Sequence, residues 1–273
     1  MAACTLVIAG LRLELIVDNP KLAHAIRARY SAFGAGMRSN GHASHLRTRV
    51  RTTTEPWGAE AAEIHFPPQG LILATSNCRG SIDLAAGSAV VDLERHQPVD
   101  SLDYFVRVAV AVLAFEAGGM LLHAAGVLSH GRAHIFIGRS GSGKTTLARL
   151  AGPRPVLNDD LVVVLPSATG WRAYATPFTH AAQVPPTGPL DAPIAGLYTL
   201  TQDGDVYLTQ LSSGQALATL VANAPVVNGD PGRLRSLLAR LAILAQSVPV
   251  RDLHFRPDPT CWDLIDGSMP ADD

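Results

Sequence analysis

A short apolar run, Ala133-His134-Ile135-Phe136-Ile137, passes directly into Gly138-Arg139-Ser140-Gly141-Ser142-Gly143-Lys144-Thr145. No other segment restricts the fold as strongly, because strand, glycine-rich turn and helix in that order form the Walker A arrangement. The glycines let the backbone curl so that successive N–H groups point inward at phosphate oxygens. Lys144 is spaced to reach β and γ phosphates, and the Thr145 hydroxyl to ligate Mg²⁺. Thr146 stands next on the helix, which is expected over residues 144–151 before Gly152 and Pro153 stop it, and which adds its positive end. Gly138 to Thr146 are therefore the expected nucleotide-binding residues. Lysine usage points the same way: the chain has two lysines, Lys21 and Lys144, and one stands where a phosphate loop needs it. The competing reading is an ordinary strand-turn-helix connection.

At 273 residues, 47% hydrophobic and 16% charged, the chain has apolar material for one large or two small cores. A formal net charge of −1 gives no general attraction to nucleic acid or an anionic membrane. Neither is expected as a partner. The longest apolar stretch, residues 104–115, is interrupted by Arg107 and too short to span a bilayer. The first ten residues lack the basic start of a secretory signal. Cys4, Cys78 and Cys261 are widely spaced and in no metal-ligand or redox pattern. These features together suggest a cytoplasmic protein, with room for a homo-oligomer.

Residues 1–100 read as an α+β lobe. Strands are expected at 6–9, 11–17, 46–52, 62–66, 70–74, 81–84 and 89–93, with one helix opened by Asn19-Pro20 and running to Tyr30, and a Gly/Ser/Asn-rich loop over 34–44. A helix over 103–117, capped by Ser101 or Asp103, is expected to carry the chain into a second lobe, residues 101–273. There, strands 120–128 and 133–137 flank Ser129-His130-Gly131, a hairpin signal, so the glycine loop grows out of a hairpin. Further strands are expected at 161–165, 171–175, 194–200 and 206–210, with a proline-rich turn over 185–193. Two helices close the chain, from about 214 to 222 and from Asp230-Pro231 to 246. Leu234, Leu237, Leu238, Leu241 and Leu244 form the expected core face of the last helix.

Asp159 follows Lys144 by fifteen residues, within Val156-Leu157-Asn158-Asp159-Asp160-Leu161-Val162. Phosphoryl transfer needs carboxylates there, one to hold Mg²⁺ beside Thr145 and one to accept the proton of an attacking hydroxyl. Asp159 is expected as the metal partner and Asp160 as the base, and the two roles can be exchanged. The bland alternative is an Asn-Asp-Asp turn between strands. If residues 129–131 are the hairpin turn, pairing symmetric about residue 130 sets His123 opposite Ile137, at the entrance to the loop. His123 is then either a site residue or a satisfied core histidine.

The order Leu122-His123-Ala124-Ala125-Gly126-Val127, hairpin, Gly138 to Thr145, Asn158-Asp159-Asp160 resembles the catalytic lobe of HPr serine kinase/phosphorylase, with ATP-dependent phosphoenolpyruvate carboxykinase as a more distant relation. Within that group it is most similar to the shorter kinase-like proteins found beside ribosomal-peptide clusters, some of which phosphorylate a serine of a lasso-peptide precursor. Ala175-Thr176-Pro177-Phe178 and Val250-Arg251-Asp252-Leu253-His254-Phe255-Arg256-Pro257 are similar to segments of those shorter proteins. The resemblance implies an α/β (α+β) fold with a mixed-sheet P-loop kinase core and an N-terminal α+β lobe. It also implies ATP and Mg²⁺ as cofactors, a peptide or protein substrate, and Asp160, Asp159, His123 and Lys144 as catalytic residues. The chain departs from HPr kinases in having no Glu-x-Arg-Gly segment after the acid pair and no match to their N-terminal domain, which sets phosphorylase activity and HPr itself apart from these expectations.

Arg47, Arg49 and Arg51 alternate with Leu46, Thr48 and Val50, so three guanidiniums share one strand face, a solvated face or a dock for an acidic peptide or phosphate. Arg251, His254 and Arg256, and His180 after Pro177-Phe178, are either plain surface charge or further candidates for a phosphate clamp. The leading expectation is an ATP-dependent kinase acting on a serine of a peptide or protein. Free serine or a carboxykinase-like small molecule is the second, and a nucleotide-binding regulator without turnover the third.

Overall fold

The computed structural model describes residues 1–34, 44–54, 57, 62–179 and 183–268. His180 and nearly all of the 34–44 loop lie outside them. The chain divides into two compact units, Met1–Ala117 and Gly118–Asp273, both of mixed α and β structure around a mixed sheet.

The first unit contains β1 (Ala2–Ile8), β2 (Leu11–Val17), α1 (Pro20–Arg29), β3 (His45–Thr53), β4 (Glu63–His65), β5 (Gly70–Ala74), β6 (Cys78–Asp83), β7 (Ser88–Glu94) and α2 (Pro98–Glu116). Its seven strands are ordered β1-β2-β3-β7-β6-β5-β4. The β2–β3 and β3–β7 pairs are parallel and the rest antiparallel. Asn19 caps α1 by accepting from the Lys21 and Leu22 amides at 2.9 and 3.3 Å, and Pro20 supplies the preset φ at the first position.

Helix α2 starts five residues before the predicted position. Pro98 opens it, Ser101 Oγ turns back onto the Gln97 carbonyl at 2.8 Å, and Asp103 is an interior residue rather than a cap. Asp103 is buried and accepts from Tyr30 Oη and Arg107 Nε, both at 2.8 Å. A β-carbon on Gly80 would lie 2.9 Å from the Phe105 ring, so α2 packs directly on β6. That packing assigns the helix to the first unit, and the division falls after Ala117 rather than after residue 100. Arg47, Arg49 and Arg51 do share one exposed face of β3, where Glu14 lies 3.7 Å from Arg47 and Asp92 takes a two-pronged contact from Arg51.

The second unit contains β8 (Met120–Ser129), β9 (Arg132–Ile137), α3 (Lys144–Arg149), β10 (Val156–Asn158), β11 (Leu161–Ser167), β12 (Gly170–Tyr174), β13 (Asp191–Gln202), β14 (Tyr207–Gln210), α4 (Ser213–Ala222), α5 (Pro231–Ser247), β15 (Val250–Phe255) and α6 (Thr260–Gly267). Ladder pairing runs β8–β11–β12–β13–β9 and back to β8, a closed path. Strand β13 pairs in parallel with both β9 and β15, so the C-terminal ends of the three strands meet at one edge. The glycine loop leaves from that edge.

Several details differ from the sequence reading. The hairpin turn has two residues, His130 and Gly131, both at positive φ (48° and 70°), and this pairs Ala124 rather than His123 with Ile137. His123 pairs with Leu161 on β11 instead. Helix α3 ends at Arg149, two residues early. Strand β15 and helix α6 follow α5: β15 has little apolar alternation of its own and is held by parallel pairing with β13, while Cys261, Trp262 and Ile265 bury α6. On α5, Leu237, Leu241 and Leu244 are buried in a line, whereas Leu238 lies round the helix and is 36% exposed. All three cysteines are buried and free, and among the described residues no helix is long and apolar enough to cross a membrane.

Candidate functional site

The loop from β9 to α3 is held in shape from three sides. Gly141 and Gly143 adopt φ of 81° and 109°, values that L side chains resist. Beneath Gly143 lies the ring of Phe255 from β15. Gln202, the last residue of β13, donates from Nε2 to the Gly141 carbonyl at 3.1 Å. Parallel pairing of β13 with β9, Thr199 opposite Ile137, explains how residue 202 comes level with the loop.

Lys144 is 7% exposed, and its ammonium donates to the Gly138 and Arg139 carbonyls at 2.5 and 3.2 Å. Burial lowers its pKa, opposed by the Asp160 and then the Asp159 carboxylate. Both acids therefore act on the same cation. They lie in the turn between β10 and β11, which Asn158 closes by accepting from the Asp160 and Leu161 amides at 2.7 and 2.9 Å.

Asp159 is 2% exposed; one carboxylate oxygen accepts from the Val184 amide at 3.0 Å, and the other, Oδ1, is buried with no hydrogen-bond partner among the described residues. Asp160 is more open, and its Oδ1 is 3.2 Å from His123 Nε2. His123 shares its strand face with Ala125 and Val127, which belong to the core under Leu147 and Ala148 of α3. One step beyond that core the same face meets a cavity.

The cavity measures about 280 Å³. Ser140, Gly141, Gly143, Lys144, Thr145 and Thr146 contribute its loop side; His123, Asp159 and Asp160 also line it. Gln183 and Gln202 complete the lining, and neither carries a local sequence signal. Gly138, Arg139 and Ser142 instead line a neighbouring cavity of about 410 Å³ together with Thr199, Thr219 and Asn223. The nine loop residues singled out in the sequence thus divide between two cavities.

Of the clamp candidates, Arg251, His254 and Arg256 line neither cavity, and His180 lies outside the described residues. His254 lies between Asp203 and Asp252, with its ring nitrogens 3.0 and 3.2 Å from their carboxylates. Arg256 pairs with Asp258, and Arg251 is half-buried on β15. Thr176 and Phe178, in contrast, gain a role: their carbonyls accept from Asn158 Nδ2 at 3.1 and 2.8 Å.

Among the described residues no group of three or more His, Cys, Asp or Glu side chains could hold a metal ion by itself. Asp159 and Thr145 line the same cavity, and a carboxylate beside a hydroxyl fits a hard cation that takes its remaining ligands from phosphate and water. No protein-family model matches this chain, and no curated protein matches it.

Proposed function

We propose that this chain is an ATP- and Mg²⁺-dependent kinase that transfers the γ-phosphoryl group to the hydroxyl of a serine in a peptide or protein, on a P-loop core of the HPr kinase and phosphoenolpyruvate carboxykinase type. The observation that carries this reading is the shared cavity: Lys144 and Thr145 line it together with Asp159, Asp160 and His123. An ATPase or switch needs the loop and a metal carboxylate; a second, more open carboxylate paired with an imidazole is what an attacking hydroxyl requires.

In this reading Lys144 exchanges its two loop carbonyls for β- and γ-phosphate oxygens. Thr145 and Asp159 would hold the cation, which would neutralise charge on the phosphates. Asp160 takes the proton of the acceptor hydroxyl as its oxygen bonds to the γ-phosphorus and the bond to the bridging oxygen of ADP breaks. His123, 3.2 Å away, orients Asp160. Phosphoryl transfer asks the protein for positioning and charge neutralisation, and these residues supply both.

Purified protein with Mg-ATP and candidate serine peptides should give a phosphopeptide by mass spectrometry, and Asp160→Asn should not. No phosphopeptide, or equal yields from the two proteins, overturns the peptide-kinase reading. A small hydroxyl-bearing acceptor is favoured by one observation: among the described residues Lys144 is the sole lysine or arginine in the cavity lining, so these residues build no basic wall for an acidic peptide. Phosphorylation of free serine in the same assay separates the two.

A further inference from the structure

We propose that Asn158, which is fully buried and not part of the cavity lining, is a positioning residue that sets the direction of both acids; the functional part of this inference rests on the kinase reading above. A primary amide offers two donor hydrogens and an acceptor oxygen with two lone pairs. Asn158 uses all four. Its Oδ1 accepts from the Asp160 and Leu161 amides at 2.7 and 2.9 Å, and its Nδ2 donates to the Thr176 and Phe178 carbonyls at 3.1 and 2.8 Å. The reverse orientation of the amide would set hydrogens against hydrogens and oxygen against two carbonyls, so the chemistry permits one orientation only.

The turn needs this residue because the strand ladder gives way there. Strand β10 pairs with β8 irregularly between Val156 and Asn158, and β11 resumes at Leu161 opposite His123. The side chain of Asn158 takes over the Asp160 and Leu161 amides, while the Asp160 carbonyl accepts from the Ala124 amide at 2.9 Å. With the backbone held by these bonds, both carboxylates reach the cavity instead of joining the ladder.

Residue type follows from the two donors. Aspartate could accept from the same two amides, as in any Asx turn, but would set a carboxylate against the Thr176 and Phe178 carbonyls. Asparagine alone among side chains of this length does both. The donors tie the acid turn to residues 176–178, and Thr176 Oγ1 returns the tie by donating to the Leu161 carbonyl at 2.6 Å. Further on, the Val184 amide donates to Asp159, next to Gln183 in the cavity lining. One buried amide thereby sets Asp160 relative to His123, and the acid pair relative to a second part of the lining.

Asn158→Asp and Asn158→Ser test this, each measured for near-UV circular dichroism, nucleotide affinity, kcat of phosphoryl transfer and the NMR signals of the His123 ring, assigned with His123→Gln. Displacing a reacting group by about 1 Å costs roughly 10²-fold in rate. The expected result is a folded variant that binds ATP within about threefold of wild type, loses on the order of 10²-fold in kcat and shows shifted His123 signals. A folded variant with kcat within threefold of wild type, or with unmoved His123 signals, overturns the proposal. Failure of both variants to fold makes Asn158 a stability residue and overturns it as well. If wild type transfers no phosphoryl group, the kinase reading has failed, and the His123 signals alone then decide whether Asn158 orients the acid pair.

Discussion

Phe255 fills the space beneath Gly143: a β-carbon added to that glycine would lie 2.5 Å from the Phe255 Cζ. Phe255 is 2% exposed and sits in the core with Leu253 and Trp262, so it has nowhere to retreat. The last glycine of the loop is thus required twice, by its φ of 109° and by a strand far along the chain.

Gly143→Ala should therefore destabilise the protein by about 3 kcal/mol, the combined scale of backbone strain and overpacking. Adding Phe255→Leu should recover part of this, so that the double variant loses about 1–2 kcal/mol less than the sum of the singles. Urea unfolding of the four proteins measures it, and strict additivity would show that the ring does not constrain the loop.

Lys144→Ala should weaken ATP binding by roughly 10- to 100-fold, the worth of charge-assisted hydrogen bonds to phosphate. Isothermal titration with Mg-ATP reads this directly. Affinity unchanged within twofold would mean that the loop is only a connection between strand and helix.

Gln202→Ala removes the bond that holds the Gly141 carbonyl and leaves the core untouched. The expectation is about fivefold weaker nucleotide binding, from a loss of about 1 kcal/mol, with an unfolding midpoint close to that of wild type. A large loss of stability with unaltered binding would contradict a loop-holding role.

Asp159→Asn keeps an acceptor for the Val184 amide and removes the negative charge from the orphan oxygen. The metal-free protein should change little in stability, because relief of the buried unpartnered oxygen offsets the lost attraction to Lys144. The Mg²⁺ concentration for half-maximal activity should rise at least tenfold. Equal Mg²⁺ dependence in the two proteins would remove Asp159 from the metal site.

His134 is fully buried on β9, with Nδ1 3.3 Å from the Tyr198 hydroxyl and Nε2 without a partner among the described residues; burial holds its pKa at about 4. The unfolded chain binds this proton near pH 6.5, so stability is fully present above that value and lost as pH falls toward the folded value. Between pH 7.5 and pH 5 the loss from this one group should be about 2 kcal/mol. His134→Gln should abolish that share of the pH dependence in urea unfolding, and an unchanged pH profile would refute it.

Local signals carried much of the fold into view. The Asn19-Pro20 and Asp230-Pro231 openings mark α1 and α5 because capping chemistry is complete within three or four residues. The glycine loop, the hairpin before it and the acid turn after it are legible for the same reason, since each is a contiguous run whose residue types answer a local backbone need. His123 was legible as a candidate but not in its pairing, because one residue of turn length moves the whole register.

The sequence by itself determined that a glycine-rich loop with one lysine follows a strand, and that two adjacent acids come fifteen residues after that lysine. Only the tertiary structure decided that these segments line one cavity, that Gln202 and Phe255 hold the loop from β13 and β15, and that Asn158 ties the acids to Thr176 and Phe178. The reason is physical. Parallel pairing joins strands through long crossovers and leaves no periodic trace at the residues it brings together, and a buried amide satisfied by four backbone groups looks, in the sequence, like any asparagine in a turn.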